Sequence, residues 1–154
     1  MAPCQELDLV EIRSHELTRL HTLLARYFKD VKYPGQFSMA TFQKVWEPLL
    51  ASGAATIQVA TYSGCAVGVV GTTHLRDMFN GEMTATIILL WVDPEVRGQG
   101  IGAALLDHAE NEARLRGCSS VAHGHMFTVQ KDGGQELFEK RGYSAIELHF
   151  RKNL

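Results

Sequence analysis

Three glycines within six residues mark the stretch of this sequence that is best suited to bind a ligand. The segment Arg97-Gly98-Gln99-Gly100-Ile101-Gly102 follows an apolar run typical of a buried strand and precedes a stretch with helical periodicity. Glycine lets another group approach the backbone closely, and the first N–H groups of a helix have no partners within that helix. Together with the positive end of the helix dipole, these features predict an anion site, most naturally for phosphate.

The residues around the turn argue against two common phosphate-binding motifs. A Walker loop would continue with Gly-Lys-Ser/Thr, whereas Ala103 and Ala104 follow here. A dinucleotide fingerprint would have the spacing Gly-x-Gly-x-x-Gly, whereas Gly98, Gly100 and Gly102 give Gly-x-Gly-x-Gly. A generic nucleotide-binding module is therefore poorly supported.

The pattern Arg97-x-x-Gly100-x-Gly102, after a strand that ends in Val92-Asp93-Pro94-Glu95, resembles the acyl-CoA loop of the GNAT superfamily of N-acetyltransferases. The resemblance extends to residues 137–143, since the family often ends its last helix with Leu-Tyr-Glu-Lys-x-Gly-Phe and this chain has Leu-Phe-Glu-Lys-Arg-Gly-Tyr. It implies a single GNAT acetyltransferase domain over residues 1–154, with acetyl-CoA as co-substrate.

The order of the predicted elements, β-α-α-β-β-β-α-β-α-β, also matches this family. Periodicity and turn signals predict strands over 7–12, 56–61, 65–74, 82–92, 119–127 and 145–151. Helix caps are predicted at Ser14, Ser38 and Asp132, a bulge between residues 9 and 10, and a kink or stop near Pro48. The resemblance implies an α/β protein with the GNAT fold, a central mixed twisted β-sheet of six to seven strands flanked by about four α-helices.

The composition is that of an ordinary globular protein. The chain has 154 residues, of which 45% are hydrophobic and 21% charged. A net charge of −2 gives no reason to expect nucleic acid or an anionic membrane as a partner. The sequence shows no signal peptide and no membrane-spanning run, so we expect a soluble, cytoplasmic protein. Cys4, Cys65 and Cys118 are far apart, which favours reduced thiols over disulfides.

The resemblance assigns the cofactor-binding residues. Backbone N–H groups of residues 98–102 would hold the pyrophosphate of coenzyme A, with side-chain contacts from Arg97 or Gln99. Main-chain groups of Leu90 and Val92 would pair with the pantetheine arm between strands four and five, and the Leu90 N–H would donate to the thioester oxygen. The implied cofactor-binding set is Leu90, Trp91, Val92, Arg97, Gly98, Gln99, Gly100, Ile101, Gly102 and Phe138.

Three parts of the chain offer a general base for the amine. Glu82 lies at the polar end of strand four, His74 ends strand three, and His123 and His125 share one face of strand five. Glu82 could equally be a solvated residue, and a strand histidine is more often structural. A pair of histidines could suggest a metal, but no carboxylate or thiol lies at a supporting spacing, so we expect none.

The chain departs from the family at the general acid. Many members have a tyrosine on the last helix that can protonate the leaving thiolate, and this position falls at Phe138. Because a thiol has a pKa of about 8.5, the thiolate can leave without an acid. The departure nevertheless supports an alternative function, a catalytically inactive GNAT-fold domain that binds or senses acyl-CoA.

The resemblance implies an acceptor site between the first two helices and the loop after strand three. Tyr33 and Phe37, on a loop with proline and glycine, and Phe79 are the candidates for contact with the acceptor. The predicted function is direct acetyl transfer from acetyl-CoA to a primary amine of a small molecule or protein. The resemblance also allows a homodimer.

Overall fold

Five strands form one mixed sheet in the computed structural model, which describes residues 6–124, 134–147 and 150–154. The strands are β1 Leu7–Glu11, β2 Ala55–Tyr62, β3 Cys65–Arg76, β4 Met83–Val92 and β5 Ser120–His123. They lie side by side in sequence order, antiparallel from β1 to β4, with β5 parallel to β4. The predicted mixed sheet is therefore confirmed, although the described residues form five strands, fewer than the six to seven expected.

Four α-helices occur in the described residues. They are α1 His21–Val31, α2 Met39–Ala51, α3 Ile101–Leu115 and α4 Gly134–Lys140. A Cβ added at Gly71 would lie 2.9 Å from Trp46 of α2, whereas one added at Gly68 would lie 3.1 Å from Leu105 of α3. Because positions of opposite parity in a strand face opposite sides, α2 and α3 cover opposite faces of the sheet. No helix among the described residues is long and apolar enough to cross a membrane.

The apolar residues after the glycine turn recur at helical spacing, which predicts one buried helix face. The structure confirms this face, because the buried residues of α3 are Ile101, Leu105, Leu106, Ala109 and Ala113. Glu110 and Glu112 form the expected i,i+4 ion pairs with Arg114 and Arg116, at 3.6 and 3.5 Å. Gly117 follows the helix with a φ of 72°, and the Cys118 N–H donates to the Ala113 carbonyl at 2.9 Å. These are the features of a Schellman motif.

Two local predictions are wrong, and a third is wrong in part. Ser14 does not cap an α-helix, because Ser14–Leu20 is a 3₁₀ helix capped by Arg13 whose three-residue turn buries Leu17 and Leu20. The ladder of β1 with β2 has a continuous register and no bulge. Pro48 does not stop α2 early, because the helix continues to Ala51, whereas a kink at Pro48 stays a prediction.

Residues 1–124 and 125–154 form two compact units. In the second unit, described residues 145–147 and 150–151 are not in the strand predicted there. Residues 148–149, the end of predicted strand 119–127 beyond position 124, and the cap at Asp132 lie outside the described residues. A single domain over residues 1–154 stays a prediction.

Candidate functional site

Strand β4 extends beyond its ladder with β5. The parallel ladder runs from Thr84 and Ser120 to Ile87 and His123, whereas β4 continues to Val92. The register of β4 with β3 shifts at the next residue, Ile88, which is 55% exposed. A bulge of this kind bends a strand and increases its twist. Within the described residues, positions 88–92 of β4 therefore have a ladder partner on one side only.

We call the side of residues 88–92 that has no ladder partner among the described residues the open edge of β4. Alternate residues of this segment present their main-chain groups to it. The Asp93 N–H donates to the Val67 carbonyl of β3 at 2.8 Å. Since residues of an antiparallel strand bond alternately to one side and the other, Leu90 and Val92 turn their N–H and C=O groups away from β3. The side chain of Arg97 agrees with this direction, because its Nε donates to the Val92 carbonyl at 2.9 Å. The groups expected to contact pantetheine thus face outward, with the Val92 carbonyl already bonded.

The glycine turn leads from this edge into α3. Gly98 and Gly100 have φ values of 80° and 81°, a left-handed conformation that favours glycine. Among the described residues, apart from the chain neighbours, no atom lies within 4 Å of a Cβ added at either position, so the described part of the chain leaves the space above the turn open. The first bond of the helix runs from the Ala104 N–H to the Gly100 carbonyl at 3.0 Å. The N–H groups of residues 101–103 therefore have no acceptor within the helix and form an anion-binding end.

Helix α1 holds the end of β4 and the turn through two ion pairs. Arg26 pairs with Asp93, which is buried. Asp30 Oδ2 accepts from the Arg97 guanidinium at 2.6 Å and from the Trp91 indole N–H at 2.8 Å. The Arg26 guanidinium also lies 5.6 Å from the centre of the Trp91 ring. The sequence did not point to Asp30 and Arg26 as site residues, because the spacing of residues within α1 does not show which distant residues their side chains contact.

Two candidate bases, His123 and Glu82, lie at different positions along the length of β4. His123 belongs to the last ladder pair before the open edge, and its Nδ1 lies 3.2 Å from the Ile87 carbonyl, to which it can only donate. Glu82 is exposed and precedes the first residue of β4, and its Oε2 accepts from Ser119 Oγ at 2.8 Å. At about 3.4 Å per residue, Glu82 is roughly 20 Å from Ile88. His125 lies outside the described residues.

His74 is a buried structural histidine. It is 4% exposed, and its Nε2 lies 3.2 Å from Thr56 Oγ1. Its Nδ1 lies 3.9 Å from Cys118 Sγ. Burial lowers the pKa of His74, and the nearby Arg116 guanidinium lowers it further, whereas Glu112 opposes them. The folded structure therefore favours the neutral form of the His74 side chain.

This histidine should make the folded state sensitive to acid. Its pKa in the folded state lies below the unfolded value of about 6.5, so the unfolded chain binds the proton more tightly. The contribution of His74 to the free energy of unfolding is therefore fully present above a pH of about 6.5. It is lost as the pH falls from about 6.5 towards the pKa of His74 in the folded state. We expect urea titrations between pH 7.5 and 5.5 to show a smaller loss of unfolding free energy in His74→Gln than in the wild type. Equal losses would contradict this prediction.

The acceptor candidates fall into two groups. Tyr33 and Phe37 lie between α1 and α2, with ring centroids 4.9 and 4.8 Å from that of Phe28. Tyr27 extends this cluster towards Trp91, at 6.4 Å between centroids. Phe79 is 95% exposed in the turn between β3 and β4, at the opposite end of β4 from Trp91. The structure therefore does not bring Phe79 to the other two.

Phe138 lies on α4 and packs edge-on against Tyr143, at 5.1 Å between ring centroids. Its predicted contact with the cofactor stays a prediction. Among residues 6–124, 134–147 and 150–154, no group of three His, Cys, Asp or Glu side chains is placed to hold a metal.

Comparisons with known proteins identify a family and a fold. The profile of the Acetyltransferase (GNAT) family matches residues 17–143. The chain is 34% identical over 92 residues to an uncharacterized N-acetyltransferase, YjhQ, of Escherichia coli strain K12; the match covers 56% of this chain and 50% of the relative, so the chain spans about half the length of that protein.

Solved structures have the same fold. An aminoglycoside acetyltransferase from an uncultured soil metagenomic sample superimposes with a TM-score of 0.80 at 22% identity, covering 97% of this chain and 99% of the other. A ribosomal-protein-alanine N-acetyltransferase from Brucella melitensis biovar Abortus 2308 gives 0.75 at 23%, covering 97% and 99%. A predicted acetyltransferase from Clostridium acetobutylicum, solved with acetyl-CoA, gives 0.79 at 14%, covering 96% of each chain. These likenesses establish the mixed α/β fold of acetyltransferases for this chain.

Proposed function

Because this chain belongs to the acetyltransferase (GNAT) family, we propose that it transfers the acetyl group of acetyl-CoA directly to a primary amine of a small molecule or protein. The observation that carries the proposal is the continuity of two binding features. The open edge of β4 at Leu90 and Val92 leads directly into the glycine turn and the start of α3. The pantetheine arm of coenzyme A, which is joined to a pyrophosphate, would fit along the open edge of β4 with the pyrophosphate at the glycine turn. The family match spans both compact units, which supports one acetyltransferase domain.

The donor would be held mainly by main-chain groups. The N–H groups of residues 98–102, at the positive end of the α3 dipole, would bind the pyrophosphate. The pantetheine amides would add to the open edge of β4 as an extra strand does. The Val92 carbonyl already accepts from Arg97, so Val92 would contribute its N–H, and Leu90 both of its groups. The path needs no metal.

Acetyl transfer would proceed by attack of the neutral amine on the thioester carbonyl. The Leu90 N–H, which faces the open edge, would donate to the carbonyl oxygen as negative charge develops there. The C–N bond forms and the C–S bond breaks, so that coenzyme A leaves as a thiolate. The ammonium proton passes to a base, and the thiolate takes a proton from the solvent if no side chain supplies one.

His123 is the base that we favour. Its Nδ1 is committed as donor to the Ile87 carbonyl, so the neutral ring carries its lone pair on Nε2. The residue lies at the last ladder pair before the open edge, where the thioester would end. Glu82 is the weaker candidate, because its carboxylate is bonded to Ser119 near the start of β4.

Substitution of the two candidates separates them. We expect His123→Gln to lower kcat at pH 7 by about 10²-fold or more and to remove the acidic limb of the pH–rate profile. Glu82→Gln should change kcat by less than about twofold, because its side chain is remote from the open edge. The measurement is steady-state turnover against pH at saturating acetyl-CoA. A wild-type profile in His123→Gln would exclude this base.

One observation favours a second function. The position at which many family members have a tyrosine acid is Phe138, so the domain could bind acyl-CoA without turning it over. Incubation with acetyl-CoA and a broad panel of amines, with detection of free thiol, distinguishes the two functions. Release of thiol that depends on the amine supports the transferase. Tight binding of coenzyme A with no release over the whole panel would support the sensor instead.

A further inference from the structure

We propose that Asp30 is a positioning residue for the acyl-CoA site and that it acts through Arg97. The inference rests on the proposed function, since it concerns the site at which acetyl-CoA would bind. Asp30 lies on α1, 67 residues before Arg97 in the chain. Its role follows from the contacts around the end of β4.

Two ion pairs side by side connect α1 to that end of the strand. Arg26 and Asp30 are one helical turn apart and therefore lie on the same face of α1. They meet two residues with the same spacing and the opposite order of charge, Asp93 and Arg97. Trp91 lies between the pairs, with its indole N–H on Asp30 and its ring beneath Arg26. Each charge of the group thus has a partner of opposite sign.

Arg97 is held at both ends of its guanidinium. Its Nε donates to the outward-facing Val92 carbonyl and its Nη2 to Asp30. The guanidinium is thereby kept along the edge of β4, beside the glycine turn. It contributes positive charge near the proposed pyrophosphate site without entering the space above the turn.

The loss of the Asp30 charge should loosen this arrangement. Arg97 is the residue before Gly98, so a mobile Arg97 side chain no longer fixes the start of the turn through Asp30. Of the two ion pairs, the Arg26–Asp93 pair alone would then connect α1 to this part of the chain. The side chains of Asp30 and Arg97 are only 30% and 42% exposed, so the contact is partly shielded from water. Binding of coenzyme A would then have to order the turn, and that ordering lowers affinity.

The test is a double-mutant cycle on Asp30 and Arg97, with the dissociation constant of coenzyme A measured by calorimetry. Asp30→Asn keeps an oxygen for the Trp91 N–H and removes the charge. We expect it to weaken binding roughly three- to tenfold and to raise the KM for acetyl-CoA by a similar factor, with kcat within about twofold of the wild type. The variant with both Asp30→Asn and Arg97→Gln should bind no more weakly than Arg97→Gln alone.

Two further variants serve as controls. Asp30→Glu restores the charge and should bind within about threefold of the wild type. Asp8→Asn removes an exposed carboxylate from β1, at the opposite edge of the sheet, and should leave affinity unchanged. Unchanged affinity in Asp30→Asn, or additive effects in the double variant, would overturn the positioning role while the wild type still binds coenzyme A. A wild type that does not bind coenzyme A would overturn the proposed function itself.

Discussion

Replacement of Gly100 by aspartate is expected to weaken the binding of coenzyme A by at least about a hundredfold. A Cβ at this position meets no atom of the described residues within 4 Å beyond its chain neighbours, so the new side chain would fit there but extend into the space proposed for the pyrophosphate. Two like charges about 4 Å apart repel by about 4 kcal/mol near a protein surface, which is more than a hundredfold change requires. The φ of 81° is strained for a side chain, but Asp and Asn adopt that region more readily than other residues.

Gly100→Asn is the matched control. Asparagine has the same shape and the same tolerance of a left-handed backbone, so the difference between the two variants measures charge alone. We expect Gly100→Asn to lose roughly tenfold in affinity, since it also occupies space near the phosphates. Calorimetry gives both dissociation constants, and thermal melts confirm that both variants are folded. Equal affinities of the Asp variant and the wild type for coenzyme A would contradict the assignment of the glycine turn as the anion site.

The features that could be predicted from the sequence depend on nearby residues. The glycine spacing predicted the turn at Gly98 and Gly100, and the period of the apolar residues predicted the buried face of α3. In both places the sequence pattern and the local structure that it predicts involve residues only a few positions apart in the chain. The same holds for the hairpin between β2 and β3, where Ser63 and Gly64 have φ values of 51° and 78°, as a two-residue hairpin turn requires.

The features that could not be predicted depend on residues distant in the chain. The side chains of Asp30 and Arg97 meet only because α1 crosses the end of β4, and no periodicity encodes that crossing. The burial of the candidate base His74 likewise depends on contacts with Thr56, 18 residues earlier in the chain, and with Cys118, 44 residues later. The choice between Glu82 and His123 similarly required the point at which the ladder of β4 with β5 ends.

The second large effect is expected at Gly68, which lies beneath the first turns of α3. A Cβ there would lie 3.1 Å from Leu105 Cδ1, 3.2 Å from the Trp91 carbonyl oxygen and 3.3 Å from Ile101 Cγ2. The carbonyl belongs to the sheet and cannot move aside, so a side chain would push the start of α3 outward. Overpacking of this kind costs about 1–3 kcal/mol, and we expect Gly68→Val to lie near the upper end, with a fall in Tm of roughly 6–12 °C.

The same variant should weaken the binding of coenzyme A, because the displaced residues begin the helix whose N–H groups would hold the pyrophosphate. Chemical denaturation gives the loss of stability, and calorimetry below the melting range gives the affinity. Gly124→Ala, where an added Cβ meets none of the described residues beyond its chain neighbours within 4 Å, is the control for the loss of a glycine. Gly68→Ala should cost less in a Leu105→Ala background, which removes the nearest contact, than in the wild type. An equal loss of unfolding free energy in the two backgrounds would show that α3 does not limit the space at Gly68. It would also contradict the proposed effect of the packing of Gly68 on the anion site.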